Sequence, residues 1–169
     1  MKTVLIIAAG ISQYPTIMMA KKKGWESVVV DGNPNALYKD LGDHFEVADI
    51  RSGEEVFEAV KKYKFDGVVV PGTDFPETAA YISNKLGLPG ISMEVAKACS
   101  DKFAMRSALE KADILTPKFF YLSLEADSRY IRQHFKDQKM DFPLVIKPIN
   151  NMAARGVRKI DSMAELFCY

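Results

Sequence analysis

The chain has 169 residues, 48% hydrophobic and 27% charged, a balance that suits a globular protein with a sizeable core. A formal net charge of +1 gives no global reason to expect nucleic acid or an acidic membrane surface as partner. The two cysteines, Cys99 and Cys168, form no CxxC pair, which argues against a zinc site and for a reducing, cytoplasmic setting.

The opening "MKTVLIIAAG" has the look of a short signal sequence, but a turn and an amphipathic segment follow where a cleavage site would stand. Val4 to Ala8 is therefore predicted to be a strand covered on both faces. No apolar run approaches the length that spans a membrane. Gly10 ends the strand, and Thr16 to Lys23 reads as a helix with Pro15 in its first turn and Gly24 as its stop. Ser27 to Val30 is a second strand closed by the turn Asp31-Gly32-Asn33-Pro34. His44 to Val47 is a third strand, and Glu54 to Tyr63 has helical spacing of Val56, Phe57, Val60 and Tyr63. Gly67 to Val70 is a fourth strand, followed by a helix over Thr73 to Leu86. Strands separated by helices predict a parallel sheet with right-handed crossovers, a doubly wound α/β domain over residues 1–92.

After "GLPGIS" (Gly87 to Ser92) a second domain, 93–169, is expected to be α+β. A helical stretch runs from Met93 to about Lys111 with a break near Ser100-Asp101. Strands are predicted at Lys118–Leu122, Leu144–Lys147 and Val157–Ile160, with antiparallel pairing, and a helix at Glu125–Lys136. Ser162 and Glu165 form a capping-box pattern that opens a last helix. Met163, Leu166 and Phe167 begin an apolar face there, and the sequence ends two residues later, as expected of the N-terminal piece of something longer. In such a piece that face would be left exposed, favouring self-association or disorder near the C-terminus.

Several motifs bear on chemistry. The turn after the first strand (Ala8 to Gln13) sits where parallel sheets bind ligands, at a strand carboxyl end. It has one of the three glycines of a dinucleotide fingerprint, Gly10, with Asp31 where a ribose-binding acid would stand; this leaves a NAD-binding Rossmann domain as an alternative. The loop "PGTDFPET" places Asp74 and Glu77 at another carboxyl edge, although Thr73 or Asp74 would serve equally as a helix cap. His44 and His134 have no partners at ligand or triad spacing. No GxSxG and no Walker-type loop occurs. Lys147, ending the strand "LVIK", is costly to bury without an anion, and Arg155-Gly156 supplies a second cation on a loop. A solvated lysine at a sheet edge explains it equally well on its own.

The order of motifs goes further: "SDK" opening a helix, Thr116-Pro117 before a strand, a helix, then "FPLVIKP" and a loop ending "RGV", all behind a small α/β domain. This resembles the ATP-grasp superfamily of carboxylate–amine ligases, which includes biotin carboxylase and the carbamoyl-phosphate synthase large subunit. The resemblance covers essentially the whole chain and implies a small parallel Rossmann-like pre-ATP-grasp domain followed by the first, incomplete α+β part of an ATP-grasp domain. It implies that Lys102 and Lys147 contact the phosphates of ATP and that Asn150, Asn151, Met152, Ala153, Ala154, Arg155 and Gly156 form the loop closing over them. Gly10, Gln13, Tyr14, Asp74 and Glu77 would face the acceptor substrate. The implied cofactors are ATP and Mg2+, with the metal ligands outside this chain, so no catalytic or metal-binding residue is assigned in it. The implied partners are a small-molecule carboxylate (or bicarbonate) and an amine, with no nucleic acid or membrane, and a homo-oligomer is left open. This loop departs from the glycine- and serine-rich family pattern, and alanine at Ala154 is expected to resist the positive φ that glycine accepts. That keeps open a nucleotide- or metabolite-binding module without catalysis.

Overall fold

A computed structural model describes every residue except Asp74, Met152, Ala153 and Tyr169. It divides into two compact units, Met1–Lys97 and Ala98–Tyr169. The first is an α/β unit built on strands β1 (Thr3–Ile7), β2 (Glu26–Asp31), β3 (His44–Val47) and β4 (Gly67–Val69). All neighbours are parallel, in the order β3-β2-β1-β4. Helix α1 (Tyr14–Lys22) joins β1 to β2, α2 (Gly53–Val60) joins β3 to β4, and α3 (Pro76–Lys85) and α4 (Met93–Ser100) follow, the last crossing the boundary between units.

The alternation of side chains along β1 sorts the core into two layers. Val4 and Ile6 pack with Ile17 and Ala20 of α1 and with Val29. Leu5 and Ile7 pack on the other face with Val28, Val30, Val56, Val60 and Ile82, beneath α2 and α3. Leu5, Ile6 and Ile7 are fully buried, each such side chain adding roughly 1.5–3 kcal/mol relative to exposure. This is why the opening apolar run is a central strand: both of its faces are covered and both of its edges are paired.

Local chemistry sets the ends of these elements. Helix α2 begins where Ser52 accepts from the Glu55 N–H (3.2 Å) and stops at Val60, three residues short of the predicted Tyr63. The Tyr63 N–H instead closes a turn on the Val60 carbonyl (2.9 Å). Helix α3 starts at Pro76, later than the expected Thr73: proline is favoured in a first turn, and the Thr73 hydroxyl is used in the preceding loop, accepting from Phe75 N (3.3 Å).

The second unit contains α5 (Lys102–Lys111), α6 (Ser128–Asp137), β5 (Leu144–Ile146), β6 (Arg158–Ile160) and α7 (Met163–Leu166). Strands β5 and β6 pair antiparallel, Leu144 opposite Ile160. The break between α4 and α5 falls at Asp101, whose carboxylate caps α5 by accepting from Phe103 and Ala104 N–H, both 2.8 Å.

Two expectations fail here. Lys118–Leu122 is not a strand, because no neighbouring backbone supplies a ladder to it among the described residues. The apolar residues of the last helix are not left exposed either. Leu166 is buried with Ile131 and Ile160, and Met163 and Phe167 pack against the same cluster. The capping pattern of α7 is realised in shifted form: Ser162 accepts from Glu165 N (3.2 Å), while Glu165 Oε2 accepts from Asp161 N (2.9 Å).

Candidate functional site

Chain order reverses between β1 and β4, and at such a point the loops leaving the two strands part at the carboxyl edge of the sheet, leaving a crevice for ligands. Ala8 turns the chain away from β1 with φ 76°, its N–H still donating to Val30 O (2.7 Å). The next two N–H groups are taken by side chains: Ala9 N donates to Asp31 Oδ2 (2.8 Å) and Gly10 N to Gln13 Oε1 (2.9 Å). The Gln13 amide nitrogen donates in turn to the Pro71 carbonyl after β4. Gly72, at φ 63°, lies so close to this turn that an added Cβ would stand 2.6 Å from Ser12 Cβ. The two loops are thus fastened together through one buried glutamine and one glycine.

The structure brings Gly10, Gln13, Tyr14 and Glu77 to this edge, Glu77 in the first turn of α3. Tyr14 is part-exposed, its ring 5.0 Å from that of Tyr38. Asp74 lies outside the described residues. Gln13 is buried and both ends of its amide are engaged within the protein, so it braces the edge. Asp31 is similarly occupied, accepting from Ala9 N and from Asn33 N (2.8 Å). At the same edge, beyond β3, Arg51 clasps Asp49 through Nε and Nη2 (2.7–3.1 Å), and that guanidinium holds the Asp49 carboxyl at about 2. Neither Pro71, Gly72 nor this ion pair stood out in the sequence. The Asp-x-Arg spacing just after a strand is the signal that was available for the last.

In the second unit, Lys102 is the first residue of α5 and holds the loop that follows β5. Its backbone N–H donates to Ile149 O (2.9 Å), and its ammonium reaches Ile149 O (3.4 Å) and the Asn151 carbonyl. Lys147 is exposed and has no hydrogen-bond or ion-pair partner among the described residues. Strand alternation places it on the open face with Val145, 57% exposed, away from the cluster around Ile160. The burial cost argued from sequence therefore does not arise.

Asn150 and Asn151 are exposed, as are Ala154, Arg155 and Gly156; Met152 and Ala153 lie outside the described residues. Contrary to expectation Ala154 adopts a positive φ, 58°, and Gly156 follows with 73°. The Val157 N–H closes this turn on Ala154 O (3.1 Å), and such a conformation costs alanine roughly 1–2 kcal/mol. An added Cβ at Gly156 would meet Pro148 Cγ at 2.8 Å, so glycine is required there on two counts. From Val145 to Ile160 the sequence has Lys147, Arg155, Arg158 and Lys159 and no acid, a charge pattern that suits an anion. Among the described residues no group of three or more His, Cys, Asp or Glu side chains is placed to hold a metal ion, and no helix is long and apolar enough to cross a membrane.

No family model matches the chain. A curated formate-dependent phosphoribosylglycinamide formyltransferase of Bacteroides fragilis is 26% identical over 169 residues, covering 98% of this chain and 42% of its own length. The carbamoyl phosphate synthase large chain of Thermoanaerobacter pseudethanolicus is 25% identical over 154 residues, covering 88% of this chain and 14% of its own. Its relatives are ATP-grasp ligases. An N5-carboxyaminoimidazole synthetase from Staphylococcus aureus, solved with ADP, superposes with a TM-score of 0.76 at 16% identity, covering 98% of this chain and 43% of that one. The likeness shows the fold: the first unit matches the pre-ATP-grasp domain of these ligases, and the chain spans about two fifths of the formyltransferase it resembles, in the N-terminal portion.

Proposed function

We propose that this chain forms the N-terminal portion of an ATP-dependent carboxylate–amine (or bicarbonate) ligase, with the phosphate end of the nucleotide held by the second unit. The observation that carries this reading is the fastening of the loop after β5 by Lys102, through both its backbone and its ammonium, with Lys147 at the start of the same stretch and no acid in it. ATP would supply the activation, converting a carboxylate into an acyl phosphate with a good leaving group. The protein's own contribution is charge and position. Lys147 offers an unpaired ammonium, Lys102 fixes the loop whose backbone would line the phosphates, and Arg155 adds a cation at the loop's far end. The carboxyl edge of the first sheet, at Gly10, Tyr14 and Glu77, would present the acceptor, with Gln13 holding that edge in shape.

Magnesium ligands are assigned to no residue of this chain, so the chain alone is expected to bind nucleotide weakly and to turn nothing over. Titration of the chain with ATP, followed by calorimetry or by a fluorescent ATP analogue, tests the reading. A charge-assisted contact is worth roughly 1.5–3 kcal/mol, so Lys147→Ala should weaken binding about tenfold or more while leaving the melting temperature unchanged. Lys147→Arg should restore it only in part, since a planar guanidinium does not replace a compact ammonium. Equal nucleotide affinity in the wild type and the alanine variant would refute the assignment.

A further inference from the structure

Lys102 turns both its backbone N–H and its ammonium to the stretch after β5. The N–H donates to Ile149 O (2.9 Å), and the ammonium gives one N–H to Ile149 O (3.4 Å) and another to the Asn151 carbonyl. An ammonium has three donors, so the third is left over. Both acceptors are neutral carbonyls, and among the described residues no carboxylate forms an ion pair with Lys102. The side chain is half-buried, so a positive charge stands at the root of the loop, partly withdrawn from water and matched by no negative one. The far end of the loop is tied to the near end. An added Cβ at Gly156 would meet Pro148 Cγ at 2.8 Å, and the Val157 N–H closes the next turn on Ala154 O (3.1 Å). A shift of Pro148 to Asn151 is therefore passed by contact to Gly156 and to the turn that carries Arg155.

We propose that Lys102 couples phosphate occupancy to the position of this loop. Two of its donors hold the Ile149 and Asn151 carbonyls, and the third takes a phosphate oxygen. This rests on the ligase reading and goes beyond it, because Lys102 becomes a two-way link and not only a fastening. A phosphate oxygen makes a charge-assisted bond that fixes the ammonium in place. The fixed ammonium steadies the two carbonyls, and the contact of Pro148 with Gly156 carries the effect to the far turn. The link is reciprocal: the factor by which phosphate steadies the loop is the factor by which a steadied loop tightens phosphate. Lys147 has no hydrogen-bond partner among the described residues, so it adds affinity without coupling.

Tripolyphosphate, which has the charge of the nucleotide's phosphate end and no base, is the probe. Hydrogen exchange read by nuclear magnetic resonance follows two amides, that of residue 102 at the near end and that of Val157 at the far end. In the wild-type chain, saturation with the probe should slow both by about tenfold. Lys102→Met keeps the length of the side chain and removes its charge and donors. At its own saturating concentration the two amides should slow by less than about twofold. Lys102→Arg should restore most of the response, since a guanidinium has donors for the carbonyls and for phosphate. Lys147→Ala should need about tenfold more probe yet give the full response once saturated. A purely structural role for Lys102 would change exchange without the probe and leave the probe's effect intact. A full response in Lys102→Met, or a lost one in saturated Lys147→Ala, overturns the coupling. A wild-type chain that binds neither tripolyphosphate nor ATP overturns the ligase reading and the coupling together, whereas binding with no response that depends on Lys102 overturns the coupling alone.

Discussion

Gln13 shows how much of a binding edge can rest on one uncharged side chain. Its oxygen accepts from Gly10 and its nitrogen donates to Pro71, so it needs an acceptor at one end and a donor at the other. Gln13→Glu keeps the first bond and opposes a carboxylate to a carbonyl at the second. Gln13→Leu removes both and leaves the Gly10 N–H without its partner. Each is expected to destabilise the chain by roughly 1–3 kcal/mol, and a urea titration should show it as a lower midpoint with an unchanged slope. The glutamate variant should recover part of the loss at low pH, where a protonated carboxyl can donate; the leucine variant should not. From sequence alone a polar residue beside a strand end reads as a ligand contact, because the distant carbonyl it serves, 58 positions away, is invisible there. Lys147 is the opposite case. Its position at the strand end is legible, but whether it is buried depends on which face of β5 the core occupies, and that is settled by Ile160 and Leu166.

At the scale of the element, the β2–β3 side of the first sheet has a distinct electrostatic character. Glu26 accepts from the Thr3 hydroxyl (2.8 Å) and contacts His44 (3.0 Å), and these bonds lower its pKa. Asp43 accepts from Ser27 N and Oγ, both 2.8 Å, and the backbone bond first of all lowers its pKa despite partial burial. Burial raises that of Glu46, but Lys62 and Tyr63 outweigh it and the net direction is down. Carboxylates whose pKa is lower folded than unfolded add stability that is complete above the ordinary values of 3.8 for Asp and 4.5 for Glu and lost as pH falls through the folded values. The thermal midpoint should therefore hold steady above about pH 5 and fall steeply below about pH 4. Asp43→Asn should flatten that fall, which circular dichroism melts at neutral pH and near pH 3 would show. The elements themselves were largely legible, since period-two and helical patterns are local: β3 runs from His44 to Val47 as expected, and α4 and α5 part at Asp101. Lys118–Leu122 was not, because a strand is defined by a partner, and composition supplies only one of the two.

For the whole molecule, the question is how far the first unit stands alone. It has a two-layer core around a four-stranded sheet, which is ample for autonomous folding. A chain ending at Lys97 should give one cooperative melt. One ending at Ser92 should melt lower, because it removes the fully buried Ala96 and the turn its N–H closes on Ser92 O (2.9 Å). Scanning calorimetry on the two shortened chains would decide. A non-cooperative trace from the longer one would show that the division between units is not a folding boundary.

The sheet order also bears on how the protein is made. Of the four strands of this sheet β1 is made first, yet it sits in the middle, with Thr3 paired to Glu26 on one side and Val4 to Gly67 on the other. One edge of Thr3–Ile7 can be satisfied early, but the other must wait for more than sixty further residues, roughly 3–12 s at ordinary elongation rates. The Thr3 N–H and carbonyl, which bond to Asp66 on that late side, stay open for the same interval. During synthesis the most apolar strand of the first unit is thus its longest-exposed one, and a nascent-chain chaperone would find its natural target in Thr3–Ile7.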